Sequence, residues 1–230
     1  MAITHPTGFP LAANGDVSAE NVTSYTMPHA YGSTNDIAII GSRVASATVA
    51  ITGIVGTKTG TWAQVAEKIG TATGFTVAIW IAPVTSTSGA DVLTISYSGS
   101  VTTVYTSIWG DSLSAGGPVT WSIPAWNWTS SNSSVTTWDY PLLTSATTTN
   151  PQAYWGVSFP RQVNTGGSTS GFTYIDSPTN TGNEQVYNLS LASDTVYQPA
   201  TNGTPAGNYD TVAIIIMAAP KVAGGFFLVP

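Results

Sequence analysis

The stretch that decides the fold is FTVAIWIA, at residues 75–82. Every second side chain from Phe75 to Ile81 is apolar, and Trp80 lies on the opposite face of an extended chain. A period of two is typical of a β-strand, because successive side chains of a strand point to opposite faces of its sheet. The stretch therefore predicts a strand whose apolar face lies in a core.

The same alternation recurs along the chain, at residues 92–98, 101–109, 153–159 and 186–191. Each of these runs predicts a strand with one apolar face. Residues 209–218 are instead largely apolar on both faces, which is typical of a strand that is buried on both sides.

Turn-forming sequences separate these runs, among them Asn14-Gly15 and Gly116-Gly117. One stretch, residues 62–69, also fits the spacing of a helix, but the flanking Gly and Thr residues favour a strand. Short strands separated by turns predict an all-β protein, a single antiparallel β-sandwich of jelly-roll-like form.

The chain contains no linker that would divide it into two cores, and 230 residues are within the range of one large β domain. We predict an N-terminal segment with a first strand at residues 1–34 and a β-sandwich domain at residues 35–219. An apolar C-terminal arm follows at residues 220–230. Within the domain, the Trp-rich residues 121–140 are predicted to form a long inserted loop.

Charged side chains are scarce, at 7% of the chain, whereas soluble domains average about a quarter. The five Lys and Arg residues are scattered, so they cannot follow a phosphate backbone, and nucleic-acid binding is not expected. No apolar run approaches the ~18 residues of a membrane span, and the N-terminus does not resemble a secretory signal. Since the chain has no cysteine, it can form neither a disulfide nor a thiol nucleophile.

Candidate catalytic residues are few. The two histidines, His5 and His29, precede the main strands without metal-ligand spacing, and we expect both to be exposed in loops. No nucleophile, calcium or cofactor motif is present, so the sequence predicts no catalytic residue, no metal site and no cofactor. A glycoside hydrolase needs two carboxyl groups about 5–9 Å apart, but nothing pairs the acids of the β region. These acids, each most simply at a strand end or turn, are Glu67, Asp91, Asp111, Asp139, Asp176 and Glu184.

Two segments carry the side chains best suited to contacts. Exposed tryptophans in the inserted loop could anchor a protein interface or stack on a sugar, and the alternative is that their indoles close one end of the core. The apolar arm would be stabilised by burial against a neighbouring subunit, at ~1.5–3 kcal/mol per large side chain. The interface or glycan candidates are Trp121, Trp126, Trp128, Trp138, Tyr140, Phe226, Phe227 and Leu228.

Seven short stretches follow one another in a recognisable order. They are DIAIIGSR at 36–43, TWAQVA at 61–66, FTVAIW at 75–80, LTISYSG at 93–99, WGDSLSAG at 109–116, YWGVS at 154–158 and GFTY at 171–174. In this order they resemble a group of virion and prophage proteins of tailed bacteriophages, over roughly residues 20–219. The resemblance implies a jelly-roll-like module of a virion, either a minor tail protein or a capsid decoration protein. It carries no catalytic residue over to this chain.

We therefore expect a non-enzymatic virion protein, assembled in the cytoplasm of a bacterial host, that contacts other virion proteins and copies of itself. Low charge suits closely packed identical copies, because few like charges meet. An alternative is a glycan-binding adhesion module at the host surface, which predicts that Trp126 and Trp128 are exposed across a shallow groove. A less favoured alternative is a glycoside hydrolase, which predicts two facing carboxylates in a cleft.

Overall fold

The computed structural model describes residues 1–9, 16–160, 163–164, 166–177 and 182–221, and every regular element within them is a β-strand. The all-β prediction is therefore confirmed. The strands are β1 Asp16–Glu20, β2 Ser24–Thr26, β3 Ile37–Val44, β4 Ile51–Gly56, β5 Ala63–Lys68, β6 Thr76–Pro83, β7 Val92–Tyr97, β8 Tyr105–Leu113, β9 Val119–Asp139, β10 Leu143–Thr144, β11 Gln152–Ser158, β12 Val163–Asn164, β13 Thr173–Asp176, β14 Glu184–Asn188, β15 Val196–Tyr197 and β16 Ala200–Pro220.

A five-stranded antiparallel sheet lies at the centre of the molecule, in the order β1-β8-β3-β6-β5. Side chains alternate along its strands, so that Ile37 and Ile39 point to one face and Ala38 and Ile40 to the other. Both faces are buried along most of β3, β6 and β8. A sheet covered on both sides requires apolar or small residues at nearly every position, as these strands have.

A second antiparallel sheet, in the order β12-β16-β11-β14-β13 with β9 added beside β16, covers one face of the central sheet. Ile79 and Trp109 of the central sheet pack in one core with Trp155 and Ile214 of the second. The predicted β-sandwich is thus confirmed, with its main core between these two sheets.

A third sheet, in the order β2-β7-β4, covers the opposite face of the central sheet. Tyr25 and Leu93 from this sheet pack against Trp80 and Ile108 in a second core. Trp80 therefore lies on the opposite face from Ile79, as the alternation in residues 75–82 predicts. The third sheet adds a layer to the sandwich that the sequence does not predict.

The longest elements, β9 and β16, form an antiparallel ribbon. At one end Val119 pairs with Pro220, and at the other end Asp139 pairs with Ala200. The prediction that residues 121–140 form an inserted loop is wrong, since nearly all of them belong to β9. Residues 119–129 pair with the apolar residues 211–220 of β16, whereas the Ser- and Asn-rich residues 130–137 pair with its polar residues 202–210. Three register shifts interrupt the ribbon.

Several other strand predictions hold. Residues 62–69 contain β5, a strand as expected, and residues 209–218 lie within β16 and are almost entirely buried. Residues 1–34, predicted to hold a first strand, contain two strands among their described residues, β1 in the central sheet and β2 in the third sheet.

Candidate interaction surface

Asp111, one of the six candidate acids, is fully buried between the central and second sheets. Its Oδ2 accepts hydrogen bonds from the indole of Trp155, at 2.7 Å, and from the side-chain amide of Gln185. His5 Nε2 lies 3.0 Å from the same oxygen, and the His5 side chain is only 7% exposed. The prediction that His5 is exposed in a loop is therefore wrong. The carboxylate joins the two sheets and the N-terminal segment.

Asp91, immediately before β7, is a second buried acid, and both of its carboxyl oxygens accept hydrogen bonds. Its Oδ2 accepts from the hydroxyl groups of Thr59 at 2.9 Å and Tyr31 at 3.0 Å. Its Oδ1 accepts from the backbone N–H of Lys58 at 2.8 Å and from the Thr57 hydroxyl at 3.1 Å. Burial and the neighbouring Asp91 raise the pKa of Tyr31, so this hydroxyl stays a donor. The arrangement fastens the loop after β4 to the third sheet.

Glu184 and Asp176 stand opposite each other on β14 and β13. The Tyr140 hydroxyl donates to Glu184 Oε1 at 2.9 Å, and the Thr201 hydroxyl donates to Oε2 at 3.0 Å. Burial raises the pKa of Glu184 well above its usual range, and the hydrogen bond with Asp176 raises it further. The fold therefore brings these two acids together, but Glu184 is fully buried, whereas a glycosidase needs both carboxyl groups within reach of its substrate.

These buried carboxyl groups therefore act as internal hydrogen-bonding centres. Among the described residues, no three His, Asp or Glu side chains are placed to hold a metal ion. In the same part of the chain, no helix has the length and apolar character to cross a membrane.

The tryptophans of β9 are divided between surface and core. Trp126 is 45% exposed, whereas Trp128 is half-buried, with Lys68 Nζ 4.9 Å from the centroid of its ring. Trp121 is also half-buried and donates its indole N–H to the Asn35 carbonyl at 3.1 Å. These three side chains lie along the part of β9 that pairs with the C-terminal half of β16.

Trp138 and Tyr140 are instead core residues, so we exclude them from the candidate surface. The Trp138 side chain is 2% exposed, donates to Ser158 Oγ at 3.0 Å and stacks on Tyr209. Tyr140 is fully buried, with its hydroxyl on Glu184. For these two residues the interpretation of aromatic side chains closing the core holds.

Residues 130–137 of β9 and 202–209 of β16 form the part of the ribbon that we call the arch. Thr129 Oγ1 donates to the Asp139 carbonyl at 2.8 Å, so the chain closes on itself at the base of the arch. Exposed Ser, Thr, Asn and Pro residues dominate the arch, and none of its side chains is charged. Asn208 donates to Asn132 across it at 3.0 Å.

A mostly apolar groove of about 330 Å³ lies where β9 begins, beside the β5–β6 edge of the central sheet. We call it the β5–β9 groove, and its lining includes Ile37, Ala63, Ile81, Pro83, Trp121 and Lys221. Of these residues, only Trp121 is among the contact residues predicted from the sequence. The others come from four separate stretches of chain, and no sequence pattern joins them.

The remaining predicted contact residues, Phe226, Phe227 and Leu228, lie outside the described residues. The described chain ends at Lys221, whose N–H donates to the Pro118 carbonyl at 3.2 Å. The candidate surface therefore consists of Trp126 and its neighbours on β9, the arch, and the β5–β9 groove. Comparison of the chain with models of protein families, with curated proteins and with solved structures finds no match.

Proposed function

We propose that this chain is a non-enzymatic structural protein of a tailed-phage virion, a minor tail or capsid decoration protein that acts through protein–protein contacts. The observation that carries the proposal is the β9–β16 ribbon. Its outer strand, β9, pairs only with β16 among the described strands, so its other backbone edge has no strand partner there. An open strand edge is a template for pairing with another chain.

The charge distribution supports contacts between identical copies. Natural proteins commonly protect exposed edge strands with lysines or other charges. β9 contains no Lys or Arg, and its only acid is Asp139, at its last position. Copies can therefore approach along this edge without bringing many like charges together.

The use of the buried acids supports a non-enzymatic role. Asp91, Asp111 and Glu184 each accept several hydrogen bonds from structural neighbours. A general acid or base needs a free oxygen within hydrogen-bonding reach of a substrate. In these three residues the carboxyl groups are occupied in holding strands and loops together.

The direct test is the composition of phage particles from a host that carries the coding sequence. We expect mass spectrometry of density-purified particles to find the chain in a fixed ratio to other virion proteins. Immunogold electron microscopy would then distinguish a tail position from a capsid position. Presence in the host lysate together with absence from purified particles would contradict the proposal.

A glycan-binding adhesion module is a second candidate, because Trp126 is exposed and Trp128 lies two residues away on the same face of β9. An exposed indole can stack on the apolar face of a sugar. A glycan array that detects binding by the wild type, and loss of that binding in Trp126→Ala, would favour this function. Binding that persists in Trp126→Ala, or is absent from the wild type, would contradict it.

A further inference from the structure

We propose that the β5–β9 groove binds residues 222–230 of a second copy of this chain. The inference rests on the proposed structural function, since it identifies one contact through which copies associate. It concerns only the start of β9, at the groove, and neither the rest of the β9 edge nor the arch, so it can fail while those contacts remain.

The chemistry of the groove matches that of the segment. Residues 222–230 are VAGGFFLVP and contain no charged side chain. Among the residues that line the groove, Lys221 alone is charged, and it is exposed. Phe226, Phe227 and Leu228 are large apolar anchors of the kind that fill pockets at interfaces.

The position of the chain end brings the segment to the groove. Lys221 lines the groove, so residue 222 begins at its boundary. Nine extended residues span about 30 Å, at ~3.3 Å per residue. Two copies related by a twofold axis close to this point could each place the segment in the other's groove, which is a closed, self-complementary arrangement.

The direction of β16 favours a second copy over the same chain. The ladder with β9 continues through Ala219–Thr120 and Pro220–Val119 to the hydrogen bond between Lys221 and Pro118. The chain is therefore still moving away from Thr120 and Trp121 when it reaches residue 221. A segment of the same chain would have to turn back at residue 222 to run along Thr120 and Trp121, whereas the segment of an antiparallel neighbour could run along them without a turn.

The strands beside the groove also lack a strand partner on one side. Among the described strands, β5 pairs only with β6, and β9 pairs only with β16. The edges of two sheets therefore lie at the same groove. An extended segment placed there could add backbone hydrogen bonds to its apolar contacts, as in β-strand addition.

The experiment uses sedimentation velocity and three variants of the 230-residue chain. Ala63→Glu places a charge in the groove at an exposed position, so it should fold but not accept the segment. The double variant Phe226→Ser with Phe227→Ser should fold but not donate it. Thr94→Glu, exposed on β7 in the third sheet, is the matched control for an added charge.

We expect the wild type and Thr94→Glu to associate equally. The groove variant and the arm variant should each associate about thirtyfold more weakly or worse, as for loss of a hot-spot side chain. An equimolar mixture of these two variants should recover part of the association, because the intact arm of one fits the intact groove of the other, which restores one of the two contacts in the pair. Recovery in the mixture is specific to binding between copies.

Three outcomes would overturn the inference. If both variants associate as the wild type does, the groove is not the contact, while the proposed function still stands. If each variant loses association and the mixture does not recover it, the segment binds within its own chain. A wild type that remains monomeric at all concentrations would overturn the inference and also contradict association between copies in the proposed function.

Discussion

At the scale of single residues, Asp111 shows how this chain uses its few charges. The side chain is completely buried, yet it accepts hydrogen bonds from the Trp155 indole and the Gln185 side-chain amide, and it contacts His5. A buried carboxylate is tolerated only when it is fully hydrogen-bonded. The acid therefore stabilises the packing of two sheets instead of serving chemistry at the surface.

Replacing this acid tests that role. Asp111→Ala leaves the Trp155 and Gln185 donors buried without an acceptor, so we expect the free energy of unfolding to fall by about 3–5 kcal/mol. The measurement is urea denaturation followed by tryptophan fluorescence. Asp139→Ala, at an exposed position on β9, should change stability by no more than about 0.5 kcal/mol. Equal effects of the two substitutions would contradict this account.

Glu184 predicts a particular dependence of stability on pH. Its pKa is raised in the folded state above the ordinary value of 4.5, so the native protein holds a proton that the unfolded chain releases. The free energy of unfolding should therefore fall as the pH rises from about 4.5 toward the folded-state pKa. Glu184→Gln keeps a neutral side chain that can accept from Tyr140 and donate to Asp176, so its stability should vary less over this range. Parallel pH profiles of wild type and variant, measured by denaturation, would contradict the raised pKa.

At the scale of elements, β3 packs directly against β11 at Gly41. A Cβ atom on Gly41 would stand 2.5 Å from Val157 Cγ2 and 3.0 Å from the Trp155 ring. The absence of a side chain at Gly41 therefore sets how closely the central and second sheets approach. Gly53 on β4 offers the contrast, because a Cβ there would meet nothing within 4 Å.

This pair of glycines gives a matched test. Gly41→Ala should destabilise the protein by about 1–3 kcal/mol, because the added methyl group overpacks the core. Gly53→Ala should be neutral or slightly stabilising, since it restricts the unfolded chain without a clash. Thermal unfolding of both variants measures the difference. A Gly41→Ala protein as stable as the Gly53→Ala protein would show that the sheets can separate at no cost.

β9 has a buried tryptophan near its C-terminal end, Trp138, and an exposed one, Trp126, nearer its start. Substituting each of them tests which one stabilises the fold. Trp138→Ala removes a buried ring with a hydrogen bond and a stacked partner, so we expect a loss of about 3–5 kcal/mol. Trp126→Ala, in the same strand but 45% exposed, should cost less than about 1 kcal/mol. Chemical denaturation compares the two. A larger loss for Trp126 would place its indole in the core and remove it from the candidate surface.

At the scale of the whole molecule, the small number of charges predicts how association responds to salt. The chain has five basic and eleven acidic residues and a net charge of −6. Few ion pairs can form between copies, and salt only screens the weak repulsion. Raising sodium chloride from about 0.05 M to about 0.5 M should leave association unchanged or slightly stronger, as the Debye length shortens. A tenfold weakening in sedimentation experiments would instead indicate an interface built on ion pairs.

The sequence by itself determined the all-β class, the alternation of FTVAIWIA and the buried strand at residues 209–218, because side-chain period is a local property of the chain. Tertiary structure alone decided that residues 121–139 belong to a strand, since their pairing with β16, far along the chain, cannot be read from their own Ser- and Asn-rich sequence. It also decided the third layer, which forms when β2, β4 and β7 pack on the central sheet. The burial of His5 likewise depends on a distant contact, with Asp111, 106 residues away. The β5–β9 groove has the same origin, because the residues that line it meet only when two sheets pack together.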